Sequence, residues 1–219
     1  MKGERLREET VKALIKSTAV AIIRMPGPEH LLDIAQALYQ GGITAIEISL
    51  TTPEALTGIE AINKKLGTVI QLGAGSIINK GHVKDAIHAG ARYIVSPVFK
   101  TEIIETAHKM DAPVMPGAFS PTEIQGAYEA GADFVKIFPA KMFGPAYISA
   151  VKAPLPHLRL MPTGGITCDN VDQWLKAGAE LLGIGSALLD MKAISDGRFE
   201  VLTGLAGSLR QRIDTARKS

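Results

Sequence analysis

Lys136 is the one charged residue in an otherwise apolar stretch, Phe134-Val-Lys-Ile-Phe-Pro-Ala140, whose composition predicts a buried strand. A lysine in such surroundings loses most of its water, so its charged form is disfavoured and its pKa is expected to fall. The free amine that results is a nucleophile that forms a Schiff base with a ketone or an aldehyde. The simpler alternative is a lysine at a strand end that reaches solvent or pairs with a carboxylate.

Glu47 is the candidate proton-transfer partner of this lysine. The two-residue period of a strand places Glu47 on the same face as Ala45 and Ser49. The same period places Lys136 on the same face as Phe138. If that face is the interior of a closed barrel, both side chains converge on its axis. A buried Glu–Lys ion pair with a purely structural role is the alternative, although such a pair contributes little net stability.

The elements that must position these residues recur along the chain. Apolar segments rich in β-branched residues start every 20 to 26 residues, which is the length of one strand–helix unit. They predict eight strands, at residues 19–24, 45–50, 69–74, 93–97, 113–117, 134–139, 159–163 and 181–185. Amphipathic segments between them predict helices, among them residues 30–39, 53–66, 122–129 and 170–177.

Helix boundaries repeat as well. Thr52 and Ser120 each precede a proline and an acidic residue, which predicts a hydroxyl cap at the start of a helix. Glycines suited to the left-handed position after a helix lead into strands at Gly42, Gly90, Gly131 and Gly178. Their intervals of 48, 41 and 47 residues correspond to two strand–helix units each, a degenerate repeat typical of a (β/α)8 barrel.

We therefore predict an α/β fold, a (β/α)8 TIM barrel that forms one domain over residues 1–219. Residues 1–17 predict an extra N-terminal helix that covers the bottom of the barrel. A doubly wound open sheet is the alternative fold, but eight strands with candidate phosphate loops after the last two favour closure. No linker rich in proline or serine divides the chain.

Barrel enzymes carry their catalytic groups at the carboxyl ends of the strands. The candidate residues at those ends are, in order, Arg24, Glu47, Ser49, Thr51, Ser76, Pro97, Lys136, Thr163 and Ser186. Arg24 follows the first strand, and its planar, always charged guanidinium suits a substrate carboxylate. A salt bridge from Arg24 to Glu47 or to a surface residue is the alternative.

Two glycine-rich turns follow the last two strands, Pro162-Thr-Gly-Gly-Ile166 and Gly183-Ile-Gly-Ser186. Glycine lets backbone N–H groups approach an anion closely, and the N-terminus of a following helix adds a favourable dipole. Phosphate sites recur at these two loops of barrels. The turns therefore predict phosphate binding, with extra hydroxyl donors from Thr163 and Ser186, by Gly164, Gly165, Gly185 and Ser186.

Composition argues against several classes of partner. Lys plus Arg is 24 and Asp plus Glu is 22, a formal charge of +2, which gives no reason to expect nucleic acid or an acidic membrane surface. The charged first residues lack a secretory pattern, and no apolar run reaches the roughly 20 residues that span a bilayer. With Cys168 as the single cysteine, we expect a soluble cytoplasmic protein. None of the five histidines lies at a strand end, so no metal site is expected.

Seven short motifs occur in order along the chain: Ala-Ile-Ile-Arg24, Gly-Gly-Ile-Thr-Ala-Ile-Glu47-Ile, Gly73-Ala-Gly-Ser, Ile94-Val-Ser-Pro97, Met115-Pro-Gly, Val135-Lys136-Ile-Phe-Pro and Pro162-Thr-Gly-Gly. From about residue 19 to 190 they resemble the bacterial KDPG aldolase family. The resemblance implies an enzyme that cleaves 2-keto-3-deoxy-6-phosphogluconate to pyruvate and glyceraldehyde 3-phosphate. Many members also cleave 4-hydroxy-2-oxoglutarate, to pyruvate and glyoxylate. It further implies a (β/α)8 barrel, a homotrimer, and chemistry without a metal or other cofactor.

Carried over by position, Lys136 resembles the Schiff-base lysine of that family and Glu47 its general acid and base. Phe138 is a candidate wall for the pyruvyl methyl group, with a plain core role as the alternative. Pro97, at the end of its motif, is a further candidate for substrate binding. The region that binds substrate and phosphate corresponds to Thr163, Gly164, Gly165, Gly185 and Ser186.

Two positions depart from the family pattern. Ser76 stands where many members have threonine, and the hydroxyl is retained. Thr51 stands where some members carry an arginine that binds substrate. Either Arg24 takes over the carboxylate or the substrate preference differs.

Three other functions remain open. The first is cleavage of 2-keto-3-deoxy-6-phosphogalactonate, which differs at one stereocentre and cannot be distinguished by motifs. The second is a metal-dependent phosphosugar isomerase or epimerase, which shares the phosphate loops but needs metal ligands at strand ends. The third is a non-catalytic barrel that binds a phosphorylated metabolite. The expected partner for the aldolase is a small-molecule keto acid, with neither nucleic acid nor membrane.

Overall fold

Strands and helices alternate along residues 3–218, the part of the chain that this computed structural model describes, with side chains from residue 6. The strands are β1 (Ala19–Ile23), β2 (Ala45–Ser49), β3 (Gln71–Gly75), β4 (Tyr93–Val95), β5 (Val114–Met115), β6 (Gly117–Ala118), β7 (Val135–Ile137), β8 (Leu160–Pro162) and β9 (Leu182–Ile184). The helices are α1 (Gly3–Ser17), α2 (Leu31–Gln40), α3 (Ala55–Leu66), α4 (Lys80–His88), α5 (Thr101–Lys109), α6 (Pro121–Glu129), α7 (Pro145–Lys152), α8 (Val171–Lys176), α9 (Met191–Ser195) and α10 (Glu200–Ala216).

The eight predicted strand positions are confirmed, with boundaries that agree within about two residues. The fifth predicted strand is divided into β5 and β6 by Pro116, because a proline has no N–H to donate to a strand ladder. Its carbonyl still accepts a hydrogen bond of 2.9 Å from the backbone N–H of Lys136.

The strands pair in parallel in two curled sheets. One sheet has the order β5-β4-β3-β2-β1-β9 and the other β6-β7-β8. A single parallel bridge between Thr163 and Gly183 connects the ends of β8 and β9. The order follows the chain, and β9 returns to pair with β1, so it lacks the reversal of strand order that defines a doubly wound sheet. The chain is therefore an α/β fold built on curled parallel sheets.

Two apolar clusters lie on opposite faces of the strands. The larger one, between strands and helices, includes Val135 and Ile137. The smaller one, on the inner face, includes Phe134, next to Lys136 in the alternation, and comprises Leu14, Val20, Ala45, Tyr93, Val95, Met115, Phe134, Met161 and Leu181. By the two-residue period, Lys136 faces inward, as predicted. Ala45 is in the inner cluster, so Glu47 also faces inward.

The first helix packs against this inner cluster through Leu14, which is fully buried. Arg7 of the same helix forms a 2.8 Å ion pair with Asp133, just before β7. Asp133 also accepts hydrogen bonds from the backbone N–H of Val114 at 2.9 Å and from His108 at 3.2 Å. The helix predicted over residues 1–17 is thus observed from Gly3 onward, and its first two residues lie outside the described part of the chain.

One of the two predicted hydroxyl caps is confirmed. Ser120 and Glu123 form a capping box at the start of α6, with a proline in its first turn. The prediction for Thr52 was wrong, since α3 begins at Ala55 and Glu54 is its N-cap, with φ of 52° and no side-chain cap. The buried Thr52 hydroxyl instead accepts a 3.1 Å hydrogen bond from the backbone N–H of Met25. A contact between two loops has therefore taken the place of the local cap.

The four glycines predicted to end helices all adopt the left-handed conformation. The φ angles are 89° at Gly42, 110° at Gly90, 98° at Gly131 and 97° at Gly178. A side chain at these positions would be strained, which explains why the same residue type recurs there. No helix in the described range, 3–218, combines the length and apolarity needed to cross a membrane.

Candidate active site

Lys136 occupies the middle of β7, where it is level with Gly117 of β6 and Met161 of β8. Only 6 % of the residue is exposed. Its Nζ atom lies 5.3 Å from the centroid of the Phe138 ring, within range of a cation–π contact. The lysine is thus held inside the molecule between two strands, and the alternative of an amine at a strand end that reaches solvent is not observed.

Glu47 lies in the middle of β2, with Ile22 and Gly73 as its partners on the neighbouring strands. It is 1 % exposed. Its carboxylate covers Gly75, and a Cβ atom at that position would overlap the glutamate side chain. The absence of a side chain at Gly75 therefore creates the space that the carboxylate occupies.

Burial raises the pKa of Glu47, while the positive charges of Lys136 and then Arg24 oppose this shift without cancelling it. The Oε2 atom of Glu47 is buried and has no hydrogen-bond partner. Within the described residues, no ion pair within 4.0 Å joins Glu47 to Lys136 or to Arg24. The structural ion pairs considered as alternatives are thus not formed. A carboxyl with a raised pKa near a buried amine suits proton transfer.

Three hydroxyls meet at the carboxyl ends of β2 and β3. The Oγ atom of Ser49 lies 2.8 Å from that of Thr51 and 2.7 Å from that of Ser76. Ser49 is fully buried, Thr51 is exposed, and Ser76 has a left-handed φ of 63°. The structure therefore brings the two predicted residues together through Ser49, which shares a strand face with Glu47. This group can donate hydrogen bonds to a carboxylate or a hydroxyl of a ligand.

The two glycine-rich turns and Arg24 line one cavity of about 340 Å³, called the turn cavity below. Six predicted site residues lie in its wall besides Phe138, namely Arg24, Thr163, Gly164, Gly165, Gly185 and Ser186. Gly164 and Gly165 have φ angles of 101° and 79°, which only glycine adopts readily. The guanidinium of Arg24 and the backbone of both turns can thus act on one anion.

Five predicted residues do not line the turn cavity: Glu47, Thr51, Ser76, Pro97 and Lys136. Glu47 and Lys136 are buried on the inner face, and the half-buried Pro97 places its carbonyl against Gly117. Phe138 connects the two groups, because it lines the cavity and its ring lies beside the lysine amine. The candidate site thus has an inner polar pair and an outer cavity.

Sequence reasoning missed several residues of this site. Tyr93 is fully buried, and its hydroxyl has no hydrogen-bond partner. Burial and then the charge of Glu47 raise the pKa of Tyr93 well above its usual value. In the sequence, Tyr93 is one aromatic residue in an apolar strand, and its only signal is its place on the inward alternation of that strand. The apolar residues of the cavity wall were also missed, namely Ile22, Ile166, Leu189 and Met191.

No group of three or more histidine, cysteine, aspartate or glutamate side chains that could hold a metal ion occurs among the residues with described positions. Cys168, the single cysteine, is half-buried.

The chain matches known proteins over most of its length. Residues 11–205 match the family described as KDPG and KHG aldolase. The chain is 37 % identical over 174 residues to 2-dehydro-3-deoxy-6-phosphogalactonate aldolase of Escherichia coli K12, covering 79 % of this chain and 85 % of the relative. It is 32 % identical over 196 residues to 2-dehydro-3-deoxy-phosphogluconate aldolase of Treponema pallidum, covering 89 % and 93 %.

Two solved structures are similar over most of the chain. A KDPG aldolase from Legionella pneumophila, with pyruvate captured at low pH as a covalent carbinolamine intermediate, has a TM-score of 0.84 and 28 % identity, and covers 91 % of this chain and 97 % of that one. A cube-shaped protein cage designed by fusing symmetric oligomeric domains has a TM-score of 0.85 and 33 % identity, and covers 92 % and 73 %.

Proposed function

The chain belongs to the KDPG and KHG aldolase family, and we propose that it cleaves 2-keto-3-deoxy-6-phosphogluconate to pyruvate and glyceraldehyde 3-phosphate. It is a class I aldolase, a carbon–carbon lyase. The observation that carries the substrate proposal is the arrangement of Lys136 and Glu47, an inward-facing amine and carboxyl next to a cavity suited to an anion.

Lys136 is the proposed nucleophile. Its free ε-amine attacks the C2 carbonyl of the keto acid and forms a carbinolamine, which loses water to give an iminium. The iminium draws electrons from the C3–C4 bond. A relative holds pyruvate as a covalent carbinolamine, which supports the first of these steps here.

Glu47 is the proposed general base and acid. Through a water molecule it takes the proton of the C4 hydroxyl, the C3–C4 bond breaks, and the aldehyde leaves. The enamine of pyruvate that stays on Lys136 receives a proton at C3 from Glu47. Water then adds to the iminium, and pyruvate and the free amine are released. The raised pKa of Glu47 supports this role, because a group that both takes and returns a proton works best when its pKa is near the operating pH.

The anionic groups of the substrate are assigned to two places. The phosphate is proposed to lie in the turn cavity, bound by the backbone of both turns and by Ser186. Arg24 lines the same cavity, which supports the phosphate as the anion that it contacts, rather than the carboxylate predicted from sequence. The carboxylate is proposed to accept hydrogen bonds from Thr51 and Ser76, whose hydroxyls contact Ser49. Pro97 and Phe138 are proposed to bound the pyruvyl part.

A second candidate substrate is 2-keto-3-deoxy-6-phosphogalactonate. The 37 % identity to a phosphogalactonate aldolase favours it. The two keto acids differ at one stereocentre, so they require the same chemistry at Lys136 and Glu47.

Pyruvate release, coupled to lactate dehydrogenase, tests both candidates against 4-hydroxy-2-oxoglutarate, which has no phosphate. We expect the phosphorylated gluconate derivative to have the highest kcat/KM, at least about tenfold above the unphosphorylated compound, since about 1.4 kcal/mol from phosphate contacts suffices. A preference for the galactonate derivative would replace the first candidate by the second. If none of the three compounds releases pyruvate, the proposal is contradicted.

We also infer that the two sheets form one closed (β/α)8 barrel that makes a single domain over residues 1–219, with α1 as an extra helix below it. The Thr163–Gly183 bridge and the separation of β5 from β6 by one proline support closure. The chain is proposed to form a homotrimer. The symmetric oligomeric domains of the similar cage support this, as do the exposed side chains of Met142 and Phe143, at 64 % and 60 %.

A further inference from the structure

Tyr93, which the proposed mechanism does not use, lies at one level with the proposed base. It is paired with Gly73 of β3, and Gly73 is paired with Glu47 of β2. The tyrosine ring fills the space above Gly73, where a Cβ atom would overlap it. Three neighbouring strands thus bring a phenol and a carboxyl to the same level of the inner face, with a glycine between them.

Both side chains carry a polar atom that has no partner. The hydroxyl of Tyr93 and the Oε2 atom of Glu47 are each buried without a hydrogen bond. Buried polar groups in folded proteins are nearly always paired, directly or through an ordered water. A phenol donates one hydrogen bond and a carboxylate accepts several. One bridging water would therefore satisfy both atoms.

The charged and titratable groups that interact with Glu47 each lie on or directly after a different strand. Within the described residues they are Lys136 of β7, Arg24 after β1 and Tyr93 of β4. The proposed mechanism assigns the first two to the substrate. Tyr93 is left as a neutral donor, since burial and the charge of Glu47 raise its pKa and keep the hydroxyl protonated.

We propose that Tyr93 is a positioning residue for Glu47, its hydroxyl donating through one bridging water to Oε2. This rests on the function proposed above, because it assigns Glu47 the proton transfer. The contact orients the carboxyl so that Oε1 serves the substrate, and it favours the charged form that takes the proton from the C4 hydroxyl. The role belongs to the hydroxyl, not to the ring.

The test is direct titration of Glu47 by 13C NMR in the wild type and in Tyr93→Phe, with Glu47→Gln to identify the signal. Loss of a hydrogen bond to the charged form should move the midpoint upward by about half to one pH unit. The acid limb of kcat/KM should move with it, with little change in KM. Tyr128→Phe is the matched control, because this exposed tyrosine packs on His157 far from the inner face, and it should leave both midpoints unchanged.

An unchanged Glu47 midpoint in Tyr93→Phe overturns the proposal, and so does an equal shift in Tyr128→Phe. A second measurement uses the wild type alone. The 13Cζ chemical shift of Tyr93 should change with the same midpoint as Glu47, and a shift that does not change at that midpoint also overturns the proposal. The two NMR titrations do not depend on turnover. A wild type that releases no pyruvate would contradict the proposed function, while the titrations still decide the role of Tyr93.

Discussion

At the scale of single residues, Glu47 is a carboxyl group in a buried position. Its ionised form is stabilised by water, and burial removes that water. The burial that raises its pKa also means that its ionised form destabilises the folded chain. Selection for fold stability alone would favour a neutral residue at this position. Activity at the expense of stability is common at catalytic sites.

Glu47→Gln should therefore stabilise the protein at neutral pH. The pKa of Glu47 is raised in the folded state. Its contribution to the free energy of unfolding is therefore most favourable below the unfolded-state pKa of about 4.5, and it is lost as the pH rises through the folded-state pKa. The variant should melt higher at pH 7, by about 2–4 °C for each kcal/mol relieved, and the gain should shrink as the pH falls from the folded pKa towards 4.5 and be smallest below it. Calorimetry across this range measures it.

The same variant should release pyruvate at least about a hundredfold more slowly, since general acid–base catalysis contributes roughly that much. Pyruvate release by the variant at the wild-type rate would show that Glu47 does not transfer the proton. A lower melting temperature at pH 7 would show that the charge is stabilised in the fold.

Two glycine-to-alanine variants distinguish loss of the space for the Glu47 carboxyl from a general effect of the substitution on stability. In Gly75→Ala the new methyl group overlaps the Glu47 side chain, so kcat/KM should fall by about a hundredfold, as for misplacement by roughly 1 Å. Gly204→Ala, in the exposed part of α10 with no atom near the new Cβ, should keep full activity and gain up to about 1 kcal/mol. Equal activities of the two variants would show that the carboxyl position is not critical.

At the scale of elements, Asp133 links α1 to the strands, because it contacts Arg7 of α1 and the backbone of β5. Burial alone would raise the pKa of Asp133, but hydrogen bonds from His108, Arg7 and the backbone of Val114 outweigh it and hold the pKa below its usual value. The ionised carboxylate therefore stabilises the docking of the helix.

Asp133→Asn should lower the free energy of unfolding at pH 7 by about 1–3 kcal/mol, with allowance for the partial exposure of Arg7. Because the folded pKa is depressed, the stabilisation is present above the unfolded value of 3.8 and is lost as the pH falls below it. Urea unfolding at pH 7 and pH 3 measures the difference, which should be smaller at pH 3. Asp214→Asn, in a surface pair with Arg210, is the control, with an expected loss below about 0.5 kcal/mol. Equal losses in the two variants at pH 7 would contradict the role of Asp133.

The strands could be predicted from sequence because each is a short apolar segment that ends near a glycine or proline, and these signals are local. The start of α3 could not, because the Thr52 hydroxyl bonds to Met25, 27 residues away. Tyr93 was missed for a similar reason. Its proximity to Glu47 depends on the register of three strands and on the missing side chain of Gly73, which leaves room for the tyrosine ring. The alternation of apolar residues in a sequence reports neither of these. The two turns were predicted as one phosphate site; the structure places both turns and Arg24 around one cavity, and phosphate binding there stays a prediction.

At the scale of the whole molecule, the proposed catalytic pair depends on both sheets. Glu47 belongs to the six-stranded sheet and Lys136 to the three-stranded one. Neither sheet alone carries both groups, so the proposed closure of the two sheets around one interior is what would bring them together. The turn cavity likewise takes walls from both sheets, through the turns after β8 and β9.

The proposed assembly is tested by sedimentation equilibrium at micromolar concentration, where we expect a mass of three chains. The apolar side chains of Met142 and Phe143 should be covered in that assembly and protected from oxidation or labelling. A concentration-independent mass of one chain would contradict the trimer and leave the chemistry of Lys136 untouched.

The most direct test of Lys136 as the nucleophile is reduction with borohydride in the presence of pyruvate, followed by peptide mass mapping. A Schiff base is reduced to a stable amine, so we expect one pyruvate-derived adduct on Lys136. Lys136→Met should carry none, and Lys176→Met, which changes an exposed lysine of α8, should label like the wild type. An unlabelled wild type, or an adduct on another lysine, would contradict the assignment of Lys136 as the nucleophile.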